Sequence, residues 1–316
     1  MSATNHLRIA LVTGGRSGER DRSLISGEAV RESLVRQGLA HVVLDPTDKD
    51  FADRVRETDV AFLAIAGQWA EDGKLQGLLD SLGVPYTGSG VLASATAMHK
   101  PTAKTLVQAG GVNVLPHIPL QGTQGPTEAA NACAEELGLP VILKPASEGG
   151  SIGMRVFRDL NSLATTLTHD TRGGEWFVEP FKEGTAVTCG VLEQGGALLA
   201  LPPLETVPTT ADFYDYRAKR NPAGHRYRCP AQLPDTTLAT ISGAALRAHQ
   251  QLGCSGYSRS DFLVTADGAV HWLEINTLPG LSPHGNLATM AAAAGISYDQ
   301  LIQTMLTTAH TDGYRP

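Results

Sequence analysis

The stretch Y-S-R-S-D-F-L-V-T-A-D-G-A-V-H-W-L-E-I-N-T-L-P-G, residues 257–280, is the part of the sequence around which the chain is organised. It predicts two β-strands joined at Asp267-Gly268, because Asp-Gly between apolar runs favours the positive φ values of a two-residue type I′ turn. Such a turn fixes the register of the strands, and side chains alternate between the two faces of each strand. The sequence therefore predicts which side chains of the hairpin meet.

Four polar residues share one face of this predicted hairpin. Arg259 lies opposite Asn276, and Asp261 lies opposite Glu274. Two carboxylates that face each other across a ladder repel, and a hard divalent cation between them would turn the repulsion into attraction. The amide oxygen of Asn276 suits Mg²⁺ or Mn²⁺ better than zinc. We therefore predict a metal site at Asp261, Glu274 and Asn276; the alternative is a solvated polar face of an edge hairpin.

Composition sets the broad class of the protein. A chain of 316 residues is long enough for two or three domains. Its 25 basic and 32 acidic side chains give a net charge of −7, which argues against nucleic acid or an anionic membrane as the main partner. No apolar run approaches a membrane span, and residues 1–12 lack the features of a secretory signal, so we expect a soluble, cytoplasmic protein. Widely spaced cysteines predict buried free thiols: Cys133, Cys189, Cys229 and Cys254.

The alternation of strand and helix patterns predicts the domain organisation. Buried strands and amphipathic helices follow a β-α-β-α-β order up to P-Y-T-G-S-G, which indicates a parallel sheet in an N-terminal α/β domain at residues 1–90. Short strands and helices over residues 91–182 predict a small α+β domain. Residues 183–316 hold the central hairpin and a long polar loop at 207–228. The predicted fold class is thus α/β combined with α+β.

Two glycine-rich segments are candidates for anion binding. K-P-A-S-E-G-G-S-I-G, residues 144–153, runs from a strand into a loop whose backbone N–H groups and Lys144 could meet a phosphate; the alternative is a surface hairpin. It is not a Walker A loop. G-G-R-S-G-E-R, residues 14–20, could bind an anion at a helix N-terminus or place Glu19 against a substrate ammonium, or simply be a turn.

Together with E-D-G-K-L-Q-G, these segments resemble one family. Seven stretches stand in the order of the D-alanine–D-alanine ligases, members of the ATP-grasp superfamily, over essentially the whole chain: G-G-R-S-G-E-R at 14–20, E-D-G-K-L-Q-G at 71–77, P-Y-T-G-S-G at 85–90, L-G-L-P-V-I-L-K-P at 137–145, E-G-G-S-I-G-M at 148–154, F-Y-D-Y-R-A-K at 213–219, and R-S-D at 259–261 with L-E-I-N-T-L-P-G at 273–280.

The resemblance implies a three-domain ATP-grasp fold that binds ATP between its central and C-terminal domains. It implies an ATP-dependent ligase that forms a dipeptide through an acyl phosphate, with D-alanyl-D-alanine for peptidoglycan as the default product. Two Mg²⁺ ions would bridge the phosphates of ATP. The partners implied are amino-acid substrates and a second copy of the chain, because family members are commonly homodimers.

The resemblance also implies roles for individual residues. Arg259 and the Gly280 N–H would stabilise an oxyanion, and Glu19 would hold the ammonium group of the first amino acid. A mobile loop and a phosphate lid would exclude water from the acyl phosphate. The residues implied for nucleotide binding are Lys100, Lys144, Glu179, Phe181, Lys219 and, in the lid, Gly149, Gly150 and Ser151.

Several positions depart from the family pattern, mainly on the substrate side. Four stand where the family has a different residue: Ala66, Gly150, Arg220 and Gly285. The position of the ribose-binding glutamate falls at Ala186, although Glu183 lies close by. Gly285 replaces a serine that binds the carboxylate of the second substrate, and three arginines are candidates to compensate: Arg220, Arg226 and Arg228. The alternatives to D-alanine–D-alanine ligation are a paralogous ligase with another substrate pair, as in peptide natural-product biosynthesis, and a non-catalytic nucleotide-binding protein.

Overall fold

The N-terminal part is a parallel sheet flanked by helices. The computed structural model describes residues 6–120, 125–150, 152–169, 174–208 and 225–310. The first elements are β1 (Ile9–Val12), α1 (Arg20–Arg36), β2 (His41–Leu44), α2 (Phe51–Arg56), β3 (Val60–Leu63) and α3 (Lys74–Leu82). The strands run parallel in the order β2-β1-β3. This confirms the predicted β-α-β-α-β pattern, in which fully buried central strands read as continuous apolar runs.

The central part contains a small antiparallel sheet. Its elements are α4 (Val91–Met98), α5 (Lys100–Ala109), β4 (Ile118–Leu120), α6 (Pro126–Leu137), β5 (Val141–Pro145), β6 (Arg155–Phe157), α7 (Leu160–His169) and β7 (Trp176–Pro180). The strands are ordered β4-β7-β5-β6, and a separate apolar core lies between them and helices α6 and α7. Helix α4, which the sequence reading missed, packs with α5 on the C-terminal sheet instead.

The C-terminal part is built on a larger antiparallel sheet. Its elements are β8 (Thr185–Gln194), β9 (Ala197–Ala200), β10 (Leu204–Pro208), β11 (His225–Arg228), α8 (Asp235–Gln251), β12 (Tyr257–Val264), β13 (Val270–Asn276), α9 (Asn286–Ala293) and α10 (Tyr298–Thr307). The order is β11-β10-β8-β12-β13, with β9 paired to β8. The two ends of the predicted loop 207–228 therefore belong to strands β10 and β11, which pair with each other, with Val207 opposite Arg226.

The turn of the central hairpin differs from the prediction. Gly268 donates its N–H to the carbonyl of Thr265 at 2.8 Å, and Thr265 donates its N–H to the carbonyl of Ala269 at 3.0 Å. The turn thus contains three residues rather than two, with Gly268 at φ 83°, a conformation that glycine adopts without strain.

The register at the functional end of the hairpin is nevertheless the predicted one. Phe262 pairs with Trp272, whereas the neighbouring Asp261 pairs with Glu274, so a β-bulge leaves Leu273 without a partner in the ladder. The bulge offsets the longer turn by one residue. It puts Asp261 opposite Glu274 and their side chains on the same face, as predicted.

Two apolar cores tie the parts together. One joins the N-terminal sheet to α9, α10 and the inner side of β8, and Tyr86 pairs with His310 near the end of the described chain.

The cysteines are free as predicted; Cys133 and Cys189 are buried, whereas Cys229 and Cys254 are half-buried. Among the described residues, no helix is long and apolar enough to cross a membrane. The domain boundaries stay a prediction.

Candidate active site

A cavity of about 890 Å³ opens where the N-terminal part, the four-stranded sheet and the C-terminal sheet meet. Most residues that the sequence singled out line it: Glu19, Ala66, Lys100, Lys144, Gly149, Gly150, Glu179, Phe181, Glu183, Arg259, Asp261, Glu274, Asn276, Gly280 and Gly285. Ser151, Lys219 and Arg220 lie outside the described residues. One cavity collects side chains from distant parts of the chain, as ligand sites between domains commonly do.

Strand β12 presents Arg259 and Asp261 to the cavity as a bidentate ion pair. Arg259 donates from Nε to Oδ1 of Asp261 at 2.8 Å and from Nη2 to Oδ2 at 3.1 Å. Thr188, on the adjacent β8, donates a further hydrogen bond to Asp261 at 2.8 Å. Burial alone would lower the pKa of Arg259, but Asp261 outweighs burial and raises it above its usual value. The cavity therefore holds a fixed, permanently charged guanidinium.

The opposing strand β13 supplies the other oxygen ligands. Glu274 lies 3.4 Å from Nζ of Lys100, which also donates to the carbonyl of Glu148 at 2.5 Å. Oδ1 of Asn276 accepts the N–H of Leu278 at 2.9 Å. Among the described residues, no group of three or more His, Cys, Asp or Glu side chains could hold a metal. A cation here would depend on two carboxylates and one amide oxygen, a hard donor set that fits Mg²⁺ or Mn²⁺.

A buried triad of charges lies at one wall of the cavity, where Lys144 and Glu179 line it and Lys104 lies behind them. Glu179, on β7, accepts a hydrogen bond from Nζ of Lys144 on β5, and its other oxygen lies 3.0 Å from Nζ of Lys104. Burial would raise the pKa of Glu179, but the two lysines hold it at about 2. The sequence analysis missed Lys104. Its spacing of four residues from Lys100 on α5 is the signal that would have placed both lysines on one helix face.

A pair of carboxylates, Glu19 and Glu71, lines another part of the cavity wall. Glu19 is 3.2 Å from Nη1 of Arg22, and a Cβ atom on Gly149 would lie 3.0 Å from Oε2 of Glu19. The glycine-rich loop therefore passes directly over Glu19. The neighbouring Glu71 is buried and accepts the N–H of Gly67. Burial, with a smaller contribution from Glu19, raises the pKa of Glu71 to about 7.

The described substrate-side departures all line the cavity, and one of them lies beside Glu19. Ala66 lines the cavity and is fixed by its N–H, which donates to Oγ of Ser23 at 2.9 Å. Gly150 has φ 63°, and a Cβ atom there would lie 3.7 Å from Oε1 of Glu19, so a side chain at this position would be strained and close to that carboxylate. Gly285 precedes the first residue of α9 and has no capping side chain.

The arginines proposed for a substrate carboxylate do not all reach the cavity. Neither Arg226 nor Arg228 lines it, and Arg228 is bonded to Glu205 at 3.0 Å. The cavity wall contains Arg22 instead, which the sequence analysis did not select. At the other end, Phe181 and Glu183 line the cavity beside Ala186, so a carboxylate is available near the position where the family pattern is broken.

Comparison with known sequences identifies the family. Residues 106–307 match the family model of the D-ala D-ala ligase C-terminus, and residues 42–89 match that of the D-ala D-ala ligase N-terminus. The chain is 42% identical over 307 residues to the D-alanine–D-alanine ligase of Geotalea uraniireducens, covering 96% of this chain and 95% of that protein. It is 39% identical to the D-alanine–D-alanine ligase of Syntrophobacter fumaroxidans, covering 98% and 100%.

Solved structures show the same architecture. The D-alanine–D-alanine ligase of Bacillus anthracis complexed with ATP superposes with a TM-score of 0.80 at 28% identity, covering 96% of this chain and 97% of that one. The predicted ATP-grasp fold is therefore confirmed, and so is an ATP-dependent ligase in place of the non-catalytic alternative. The matches favour the default ligase over a paralogue with other substrates. This chain belongs to the D-alanine–D-alanine ligase family.

Proposed function

We propose that the protein joins two molecules of D-alanine into D-alanyl-D-alanine at the expense of ATP, for peptidoglycan synthesis. The observation that supports this is the division of one cavity into two chemically different ends. One end has the cations and hard oxygens that a nucleotide triphosphate needs, and the other has a carboxylate, Glu19, suited to an ammonium group. Such an arrangement suits transfer of a phosphoryl group to an amino-acid carboxylate.

The nucleotide would occupy the end formed by the central and C-terminal sheets. Lys100 and Lys144 would meet its phosphates, and Gly149, Gly150 and Ser151 would cover them with backbone N–H groups. Both lysines are paired with carboxylates, Lys100 with Glu274 and Lys144 with Glu179. These pairs would hold the ammonium groups in position for the phosphates.

Phe181 would pack on the adenine with Glu179 nearby, and Glu183 would bind the ribose hydroxyls. Lys219 would close over the phosphates from its loop. Asp261, Glu274 and Asn276 would hold two Mg²⁺ or Mn²⁺ ions. When bound, these ions would neutralise charge that develops on the phosphates of ATP.

The remaining chemistry depends on side chains of this chain. The carboxylate of the first D-alanine takes the terminal phosphoryl group of ATP, giving an acyl phosphate and ADP. The amine of the second D-alanine then attacks the acyl carbon, forms the C–N bond, loses a proton and expels phosphate. Arg259 and the N–H of Gly280 would stabilise the oxyanion of that step, and Glu19 would hold the first ammonium group. The reaction would take place in the cytoplasm, where ATP is available. The protein would act as a homodimer, and light scattering would measure the mass of that dimer.

The test is phosphate release with ATP and Mg²⁺ across D-alanine, L-alanine and other amino acids, with product masses measured in parallel. We expect D-alanine alone to give its dipeptide, and chelation of the metal to abolish turnover until Mg²⁺ or Mn²⁺ is restored. Turnover only with another amino-acid pair would refute the substrate, and phosphate release that no amino acid stimulates would refute the ligase itself.

A further inference from the structure

Arg22 is a charged residue of the cavity wall. It lies in the first turn of α1, its side chain is 42% exposed, and it lines the cavity. A cation in the first turn of a helix is disfavoured by the helix dipole, so stability of α1 does not account for it. The described wall residues from positions 6–90 and 277–310 include no other lysine or arginine.

The helix face that carries Arg22 points at the segment after β13. Ser26, one turn further along α1, accepts the N–H of Leu281 at 3.1 Å, and a Cβ atom on Gly280 would lie 4.0 Å from Oγ of Ser26. Residues four apart on a helix share a face, so Arg22 lies on the same side as Ser26. The arginine therefore borders the space in front of Gly280 and Gly285.

Tyr227 is a further residue of the cavity wall. Burial raises the pKa of its phenol, which also experiences the charges of Arg259, Asp261 and Arg22. Arg22, Arg259 and Tyr227 all line the same cavity, so the two guanidinium groups border one volume.

The proposed reaction defines what must occupy that volume. In the proposed reaction the phosphates would lie beside Lys100 and Lys144, so the attacking amine would approach the acyl carbon from elsewhere in the cavity. The remaining wall includes Arg22 and Ser26 of α1 and the segment of Gly280 and Gly285. The second amino acid brings a carboxylate there, and a buried carboxylate needs a charged or hydrogen-bonded partner.

We infer that Arg22 binds the carboxylate of the second amino acid and selects for it. This rests on the proposed function. The guanidinium would sit between two anions, Glu19 and the substrate carboxylate, while Glu19 sits between the first ammonium group and Arg22. Charges would then alternate along the row, and each would stabilise its neighbours. Arg22 is thus a specificity-determining residue, in contact with the substrate and not with the phosphates.

The test is a competition between D-alanine and D-alaninamide as the second substrate, with D-alanine as the first. The ratio of dipeptide to dipeptide amide is read by mass. We expect Arg22→Gln to lower this ratio at least about tenfold, as loss of a charge-assisted hydrogen bond predicts, and Arg22→Lys to keep part of it. The matched control is Arg31→Gln, which breaks a Glu28–Arg31 pair of the same spacing on α1, outside the cavity.

Each outcome decides a different question. If Arg22 only positions Glu19, both products fall together and the ratio stays at its wild-type value, which would refute the inference. If the wild-type protein makes neither product, the proposed function fails instead. If the Arg22→Gln variant has no turnover, the product ratio is replaced by a binding measurement. Calorimetry in the presence of ADP then compares the affinity for D-alanyl-D-alanine with the affinity for its C-terminal amide. If the Arg22→Gln variant has the wild-type melting temperature and still binds the free carboxylate in preference to the amide, the role of Arg22 would equally be refuted.

Discussion

The two ends of the cavity hold their charges in different ways. At the phosphate end, Lys104, Lys144 and Glu179 come from three elements and are almost completely buried. At the substrate end, Glu19 is the N-cap residue of α1 and Arg22 lies in the first turn of the same helix; Glu19 is mostly buried, whereas Arg22 is half-exposed. A charge that is buried across elements cannot be changed without cost to the fold, whereas a charge on one exposed helix turn can. Arg22 can therefore be varied at lower cost to the fold than the buried lysines.

Removing a cation from the phosphate end should show the largest effect. Lys104→Met leaves Glu179 with one lysine in a buried site, and we expect the free energy of unfolding to fall by about 3–5 kcal/mol. Urea denaturation measures this. Lys74→Met is the control, because Lys74 also pairs with a carboxylate, Asp72, but is 66% exposed. Adding Glu179→Gln to Lys104→Met should recover part of the loss. Equal, small losses in the two single variants would show that burial does not distinguish these ion pairs.

Glu71 is the neighbour of Glu19 at the substrate end, and burial there disfavours its charge. Its pKa is about 7 in the folded protein against 4.5 for an ordinary glutamate, so the folded state binds the proton more tightly. This contributes stability that is complete below pH 4.5 and is lost as the pH rises through 7. The loss is at most about 3 kcal/mol.

Glu71→Gln keeps an acceptor for the N–H of Gly67 and removes the titration. We expect the free energy of unfolding, measured by urea denaturation from pH 4 to 8, to fall more steeply with pH for the wild type than for this variant. Parallel curves would mean that Glu71 titrates in the folded protein as it does in the unfolded chain.

The sequence predicted the phosphate end better than the substrate end, for reasons visible in particular residues. The pairing of Asp261 with Glu274 followed from strand alternation, although the turn was one residue longer than predicted and only the bulge at Leu273 restored the register. No pattern in the sequence predicts that bulge. Spacing along a strand or helix is local information, so it reaches residues on regular elements.

Other residues depend on packing between distant segments. Lys104 reads as an ordinary helix-surface lysine until β7 brings Glu179 against it. Arg22 borders the substrate end of the cavity because its helix packs on the segment after β13, where Ser26 accepts a hydrogen bond from Leu281, 255 residues further along the chain. Such contacts are set by tertiary structure, and no local pattern encodes them.

The smallest expected effect concerns Gly285, at the substrate end. Its backbone is extended, with φ −75° and ψ 169°, and it occupies the N-cap position of α9 without a capping side chain. Gly285→Ser adds a hydroxyl at the cavity wall beside the space assigned to the second carboxylate. A Cβ atom there would lie 3.0 Å from the carbonyl of Ser282, so the segment has to relax slightly.

We expect Gly285→Ser to change the free energy of unfolding by only a few tenths of a kcal/mol, and to lower KM for the second D-alanine about fivefold, one neutral hydrogen bond of about 1 kcal/mol. Initial rates at saturating ATP give that KM. Gly125→Ser is the matched control, because Gly125 is also an uncapped N-cap, has open space around it and lies outside the cavity. A KM that stays constant in both variants would mean that the hydroxyl caps α9 and does not face the substrate. Arg22 would then be the residue left, among those proposed here and described in the structure, to bind the carboxylate of the second D-alanine.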